Sequence, residues 1–161
     1  MAMLTTDDLR NITNGIARIV DQWESRLPNL THEEIAERRN HQNRTVKQLV
    51  GHMVDSASNN QQRMTRLQYN DVLEFPDYTQ DNDRWIAIQN YQDFEWSNLI
   101  SLWKFCNLHI IHVIENIDTS KLSNVWTDYE GNKVTLADMV SGYLSHLQLH
   151  TGEIEDILKN K

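Results

Sequence analysis

The sequence predicts an all-α protein, a four-helix bundle. Three observations lead there. Glycine and proline are few, 5 and 2 in 161 residues, which disfavours a turn-rich β fold. Four long stretches carry apolar residues at the helical period, over about residues 6–26, 45–69, 85–117 and 135–158. Two of these stretches open on capping-box patterns, TVKQ from Thr45 and TLAD from Thr135.

The first helix runs over about 6–26. Thr6 is its expected N-cap, and Asp7 and Asp8 suit the positive end of the helix dipole. Leu9, Ile12, Ile16, Ile19, Val20 and Trp23 share one face, and Pro28 closes the helix. A short helix is expected after Thr31, where THEE is a capping box. The second long helix starts at Thr45 and ends near Tyr69. Its stripe is Val46, Leu49, Val50, Met53, Ala57, Met64 and Leu67. The acidic stretch NDVLEFPDYTQDNDR, 70–84, reads as a long crossover or lid between the second and third long helices.

The third long helix is expected over 85–117. Trp96, Leu99, Trp103, Cys106, Ile110, Val113, Ile114 and Ile117 form its core stripe. Phe94, Phe105 and Leu108 form a second stripe, to be met by a partner or by the crossover. VWTDYEGNKVTL, 125–136, predicts a small hairpin that turns near Gly131. The fourth long helix then runs from Thr135 to about Leu158. Four long helices with one long crossover point to a four-helix bundle.

The length suits a single domain over 1–161. The net charge of −8 argues against nucleic acid and anionic membranes as partners. The nearest basic cluster is Arg38, Arg39 and Arg44. It is interspersed with Glu34 and Glu37 and reads as a solvated surface. One cysteine, Cys106, allows no internal disulfide and suits a reducing, cytoplasmic setting. The opening residues lack the pattern of a signal peptide, and no run is long and apolar enough to span a membrane.

The histidines carry the functional signal. His32 and His41 lie in polar surroundings, and His109 and His112 lie off the main stripe of their helix, with His112 a candidate for a dimer interface. His146 and His150 differ. They are four apart on the last helix, on or beside the arc formed by Met139, Val140, Tyr143, Leu147 and Ile154. Two imidazoles so placed can converge on one ion, or can pack as neutral core groups with hydrogen-bond partners. HLQLH lacks the glutamate of the zinc-protease motif. His52 adds a third candidate. It sits at the margin of the second long helix's stripe, beside the polar strip Ser56, Asn59, Asn60 and Arg63.

These segments resemble those of the DinB/YfiT-like superfamily. RTVKQLVGHMVDSASNNQQRM is similar to the helix bearing the family's first metal histidine, through Thr45, Gly51, His52 and Asp55, with Arg44 where tryptophan is common. GNKVTLADMVSGYLSHLQLHTGEIEDIL resembles the last family helix with its H-x-x-x-H pair, and NDRWIAIQNYQDFEWSNLISLW the middle helix of one branch. The resemblance implies an up-down-down-up bundle, frequent dimerisation, and a divalent metal held by His52, His146 and His150. Characterised relatives include thiol-dependent transferases and isomerases, and others are described as metal-dependent hydrolases.

Three neutral histidines would leave a position open on the ion, the pattern of catalytic rather than structural sites. Such an ion can acidify bound water to a pKa of about 7 or hold a thiol deprotonated. The expected function is therefore a metal-dependent transferase or hydrolase acting on a small molecule, with a low-molecular-weight thiol as a candidate co-substrate. A thiol-dependent isomerase and a non-catalytic metal- or ligand-binding bundle are the alternatives. Zinc, nickel, iron, manganese and copper all suit imidazole donors to differing degrees. Tyr143 is the candidate catalytic base and Asp55 the candidate partner that orients an imidazole. Ser56, Asn60 and Arg63 are candidate cavity-lining residues. A homodimer is expected.

Overall fold

The computed structural model describes residues 4–69, 72–73, 81–128 and 130–159. In chain order the elements are α1 (Thr6–Arg26), α2 (His32–Ala36), α3 (Val46–Arg66), β1 (Val72–Leu73), α4 (Asn82–Gln89), α5 (Trp96–Glu115), β2 (Val125–Thr127), β3 (Lys133–Thr135) and α6 (Leu136–Lys159). α1 and α3 each pack against both α5 and α6. The four long helices therefore form a ring in the order α1, α5, α3, α6.

Contacts at the two ends fix the directions. At one end the Asp118 amide, just past α5, donates to Gln68, just past α3. Ile117 and Thr119 line a pocket there with Thr6 and Leu9 from the start of α1, and the Leu136 amide donates to the Asn124 carbonyl. At the other end Trp96 Nε1 donates to the Leu27 carbonyl, 3.1 Å, and Arg26 pairs with Glu155. α1 and α6 thus run one way and α3 and α5 the other. This is the expected up-down-down-up bundle.

The caps explain where helices begin. Thr31 and Thr45 make the expected boxes, with Glu34 and Gln48 respectively. At α6, Thr135 and Asp138 exchange the corresponding bonds. At α1 the cap is Thr5, not Thr6. Three residues after Thr5 stands Asp8, whose carboxylate accepts the Thr5 amide at 2.8 Å. Three after Thr6 stands Leu9, which can accept nothing.

Three expectations need correction. The third long helix is not continuous over 85–117. It divides into α4 and α5, joined by a 3₁₀ turn at Tyr91–Asp93. Asn90 takes the left-handed conformation, φ 50°, that ends α4, and Glu95 caps α5 by accepting the Asn98 amide. Periodicity alone could not reveal the break, because Tyr91 is drawn inward by tertiary packing. α5 is consequently rotated: Ile100 and Asn107 are buried, while Trp96, Cys106 and Val113 are half-buried.

Second, the segment 70–84 is partly regular. β1 pairs in parallel with β2, Val72 opposite Val125, extending the β2–β3 hairpin to three strands. Residues 82–84 belong to α4. Residues 70–71 and 74–80 of the expected crossover lie outside the described residues. Third, Arg44 is not a solvated surface charge. Its side chain is 10% exposed and bonds Asp83 through Nε and Nη2, at 3.0 and 2.8 Å.

The core fills the ring with Leu49, Met53, Met64, Leu99, Trp103, Ile110, Leu136 and Leu147, among others. Phe94, just before α5, and Phe105 and Leu108 on it stay exposed. No described helix is long and apolar enough to cross a membrane.

The Tyr91 ring lies against the backbone of α3 at Gly51. A Cβ at Gly51 would overlap the ring. Gly51→Ala is therefore expected to lower stability by about 1–3 kcal/mol through overpacking. Chemical denaturation of the variant beside wild type measures this, and an unchanged midpoint would show that Tyr91 is not seated as described.

Candidate metal centre

α3 and α6 are antiparallel neighbours, so residues advancing along one meet residues receding along the other. His52, in the second turn of α3, comes level with His150. Ser56, one turn on, comes level with His146, one turn back. The ring centroids lie 4.7 Å apart for His52 and His150, 4.3 Å for His146 and His150, and 5.4 Å for His52 and His146. His52 and His150 are buried and His146 is half-buried.

Ring nitrogens converge in this seam. Nε2 of His146 and Nε2 of His150 stand 3.0 Å apart. The three residues each offer a donor atom, all within 4.8 Å of one another. The far nitrogens have partners on the helices. His150 Nδ1 lies 2.8 Å from Glu153 Oε2. A carboxylate only accepts, so Nδ1 carries the proton and Nε2 presents a lone pair. His146 Nδ1 lies 3.3 Å from Ser56 Oγ, which also accepts from Asn60 Nδ2. With Asn60 on its acceptor side, Ser56 Oγ has its own proton to give to His146 Nδ1, and His146 Nε2 then donates to the His150 Nε2 lone pair, as assigned from this network.

The proton shared between the two Nε2 atoms at 3.0 Å occupies the place an ion would take. An ion about 2.1 Å from each nitrogen requires donors about 3.0–3.4 Å apart. The His146–His150 spacing meets that requirement, and a modest inward shift of His52 completes a set of three. The donors fit a borderline divalent metal.

The electrostatics favour the ligand form. His52 is held far below the ordinary histidine value, at about 3, first by burial and then by the neighbouring His150 and His146. Burial, with His150, lowers His146 to about 4. Both rings are therefore neutral at physiological pH, as metal ligation demands.

The structure gathers some of the candidate residues here and places others elsewhere. Ser56 touches His146, and Asn60 steadies Ser56 through Oγ and carbonyl bonds. Further along α3 the Arg63 guanidinium stacks on Trp126 of the hairpin, 4.2 Å from the ring centroid. Asp55 is buried, and its Oδ1 accepts from Tyr91 Oη and Gln89 Nε2, both at 2.7 Å. It makes no hydrogen bond to an imidazole. Burial raises its pKa against the pull of those two donors.

Tyr143 does not serve as the expected base. Its hydroxyl donates across the core to Asn107 Oδ1, 2.8 Å, and burial raises the phenol well above its ordinary pKa. His32, His41, His109 and His112 are exposed and apart from the seam.

Glu153 is the contributor that sequence reasoning missed. Its signal was available, since an acid three residues after a helical histidine is a neighbour of that ring. Tyr91 and Gln89 had no comparable signal, because a tertiary contact brings them to Asp55.

Fold and site define a helical bundle with a histidine cluster in one seam. The chain belongs to the DinB superfamily, whose model matches residues 16–154. Among solved structures, it is similar to YfiT from Bacillus subtilis, described as a probable metal-dependent hydrolase with an unusual four-helix bundle topology. The TM-score is 0.86 at 14% identity, covering 99% of this chain and 90% of that one. It is also similar to the mycothiol-dependent maleylpyruvate isomerase. There the TM-score is 0.72 at 13% identity, covering 94% of this chain and 63% of that protein. A histidine-to-alanine variant of that isomerase matches with TM-score 0.74. No curated protein matches the chain.

The depressed imidazoles make stability depend on pH. Below about 6.5 the unfolded chain takes up protons that folded His52 and His146 refuse until about 3 and 4 respectively. Metal-free protein is therefore expected to lose stability as pH falls from about 6.5, by up to about 1.4 kcal/mol per pH unit per group. Asp55 titrates with the opposite sign and softens the fall at the acid end. Urea unfolding at pH 7, 6 and 5 tests this, with His52→Gln expected to flatten the slope.

Proposed function

We propose that this chain is a divalent-metal-dependent enzyme acting on a small molecule, with His52, His146 and His150 as the ligands. One observation carries the reading: His52, His146 and His150 each turn a ring nitrogen to one point of the seam, all within 4.8 Å of one another, with the two Nε2 atoms of α6 3.0 Å apart. The α6 rings are held from behind, by Glu153 or by Ser56. Three imidazoles gathered in so small a volume suit a cation.

When bound, the ion supplies Lewis acidity that makes water or a small thiol nucleophilic at neutral pH. The chain's own residues do the rest. Glu153 holds the His150 proton on Nδ1 and lends negative charge behind that ligand. Ser56, steadied by Asn60, orients the His146 ring. Asn60 and Arg63 continue the polar strip of α3 and line the substrate's approach. The half-buried side of His146 is the way in, since His52 and His150 are closed off.

The likeness to YfiT favours water as nucleophile, and hydrolysis. The likeness to the mycothiol-dependent isomerase favours a thiol, used for transfer or isomerisation. The shared chemistry is nucleophile activation at the ion, in a cytoplasmic protein. The alternative is a bundle that binds metal without catalysis. The purified protein is expected to take up one divalent ion, and His52→Ala, His146→Ala and His150→Ala to lose it. Metal analysis after loading with zinc, nickel or manganese decides this. Glu153→Gln is expected to weaken binding about 10–100-fold. The loaded protein, screened with model esters and amides and with small thiols plus electrophiles, is expected to turn over one of the two sets. Activity on neither set, with metal bound, would favour the non-catalytic bundle.

A homodimer joined through α5 belongs to the same proposal. Phe94, Leu102, Phe105 and Leu108 are exposed there. α5 bears no acidic residue from Trp96 to Ile114, so two chains of net charge −8 can meet on it without repulsion. Sedimentation is expected to show a dimer that Phe105→Glu dissociates. A monomeric wild type would remove this part alone.

A further inference from the structure

His52 Nδ1 and Asp55 Oδ2, both buried on α3, have no hydrogen-bond partner among the described residues. Buried groups of this kind are costly and call for an explanation. Both residues lie on one helix, three positions apart, where side chains are neighbours.

α6 uses the same spacing. His150 and Glu153 are also three apart, and there the imidazole Nδ1 and the carboxylate meet at 2.8 Å. The chain thus carries HMVD at 52–55 and HTGE at 150–153. His146 is followed by LQL and takes its support from Ser56 on the facing helix instead. Two of the three candidate ligands bring a carboxylate of their own. In α6 that carboxylate is engaged. In α3 it is anchored by one oxygen only, since Tyr91 and Gln89 both bond Oδ1, and Oδ2 is left as an acceptor.

We propose that Asp55 is a positioning residue for His52, its Oδ2 accepting the His52 Nδ1–H in the metal-loaded protein while its Oδ1 keeps Tyr91 and Gln89. This rests on the metal centre proposed above. The inward shift that His52 needs to join His146 and His150 is then the motion that engages Oδ2. One carboxylate would tie the ligand helix to the 89–91 turn. Gly51 is part of the arrangement, because only a residue without Cβ lets the Tyr91 ring lie over α3 and reach Asp55.

The test compares wild type, Asp55→Asn and Tyr91→Phe as full chains. Zinc affinity is measured by chelator competition, and imidazole N–H protons are observed by NMR in the zinc-loaded state. Asparagine keeps an oxygen for Tyr91 but offers a donor, not an acceptor, to His52. Asp55→Asn is expected to lower zinc affinity about 10–100-fold and to remove an exchange-protected His52 Nδ1–H signal present in wild type. Tyr91→Phe is expected to keep that signal and bind close to wild type. Wild-type affinity with a persistent signal in Asp55→Asn would overturn the proposal. So would an equal loss in Tyr91→Phe, which would reduce Asp55 to an anchor for the turn. A folded wild type that takes up no zinc would overturn the metal centre itself, and the role of Asp55 with it.

Discussion

The register between α3 and α6 is the constraint on which the site depends. Because the helices are antiparallel, His52 faces His150 only if Ser56 faces His146. One pairing supplies a converging nitrogen and the other orients the His146 ring. A slip of one turn, about 5.4 Å, would break both. The apolar stripes hold the register: Leu49, Val50, Met53 and Ala57 on α3, and Leu136, Val140, Leu147 and Ile154 on α6, all buried. The capping boxes at Thr45 and Thr135 fix where each helix starts. Arg26 on α1, paired with Glu155, ties down the far end of α6.

Against that scaffold the seam is polar, and its polarity is costly. An unmet buried polar atom costs about 1–3 kcal/mol. His146 and His150 each spend Nδ1 on a neighbour and turn Nε2 toward the other ring. His52 has a buried Nδ1 with no hydrogen-bond partner among the described residues. A core selected only for stability would hold leucine at these positions. The bundle tolerates the seam because the apolar core extends around it, with Trp103, Ile110 and Leu147 fully buried. Placing the cluster on rigid helices rather than loops keeps the donor geometry narrow.

Much of this was legible in the sequence, for a physical reason. Local signals write themselves directly: capping boxes, heptad-like stripes and the four-residue spacing of His146 and His150 all depend on neighbours along one helix. The up-down-down-up bundle followed from those signals with the family resemblance. Tertiary signals did not write themselves. The break at Asn90 is imposed by Tyr91 settling on Gly51, a residue 40 positions earlier that no periodicity connects to it. Arg44 read as solvated because its partner Asp83 lay in a stretch taken as irregular. Tyr143 read as a candidate base because a helical arc shows which way a side chain faces, not what it meets there. Asn107, its partner across the core, was invisible as a polar residue in an apolar stripe. Glu153 is the instructive case, because its i, i+3 relation to His150 was as local as any capping box.

The position of the two carboxylates bears on what kind of ion site this seam can be. Neither Glu153 nor Asp55 belongs to the cluster of converging donors, although both lie one helical step from a histidine. Were either a direct ligand, its charge would offset much of the +2 on the ion and weaken it as a Lewis acid. Behind the ring, the same carboxylate fixes a tautomer and raises the basicity of the imidazole while leaving the ion's charge exposed. Three neutral donors with carboxylates held one atom layer back therefore favour an electrophilic centre over a closed structural one. The low pKa values of His52 and His146 act in the same direction, since rings that resist protonation stay available as ligands down to acid pH. The helices' apolar packing makes the site possible, and carboxylates kept outside the donor cluster would leave an ion there its full charge.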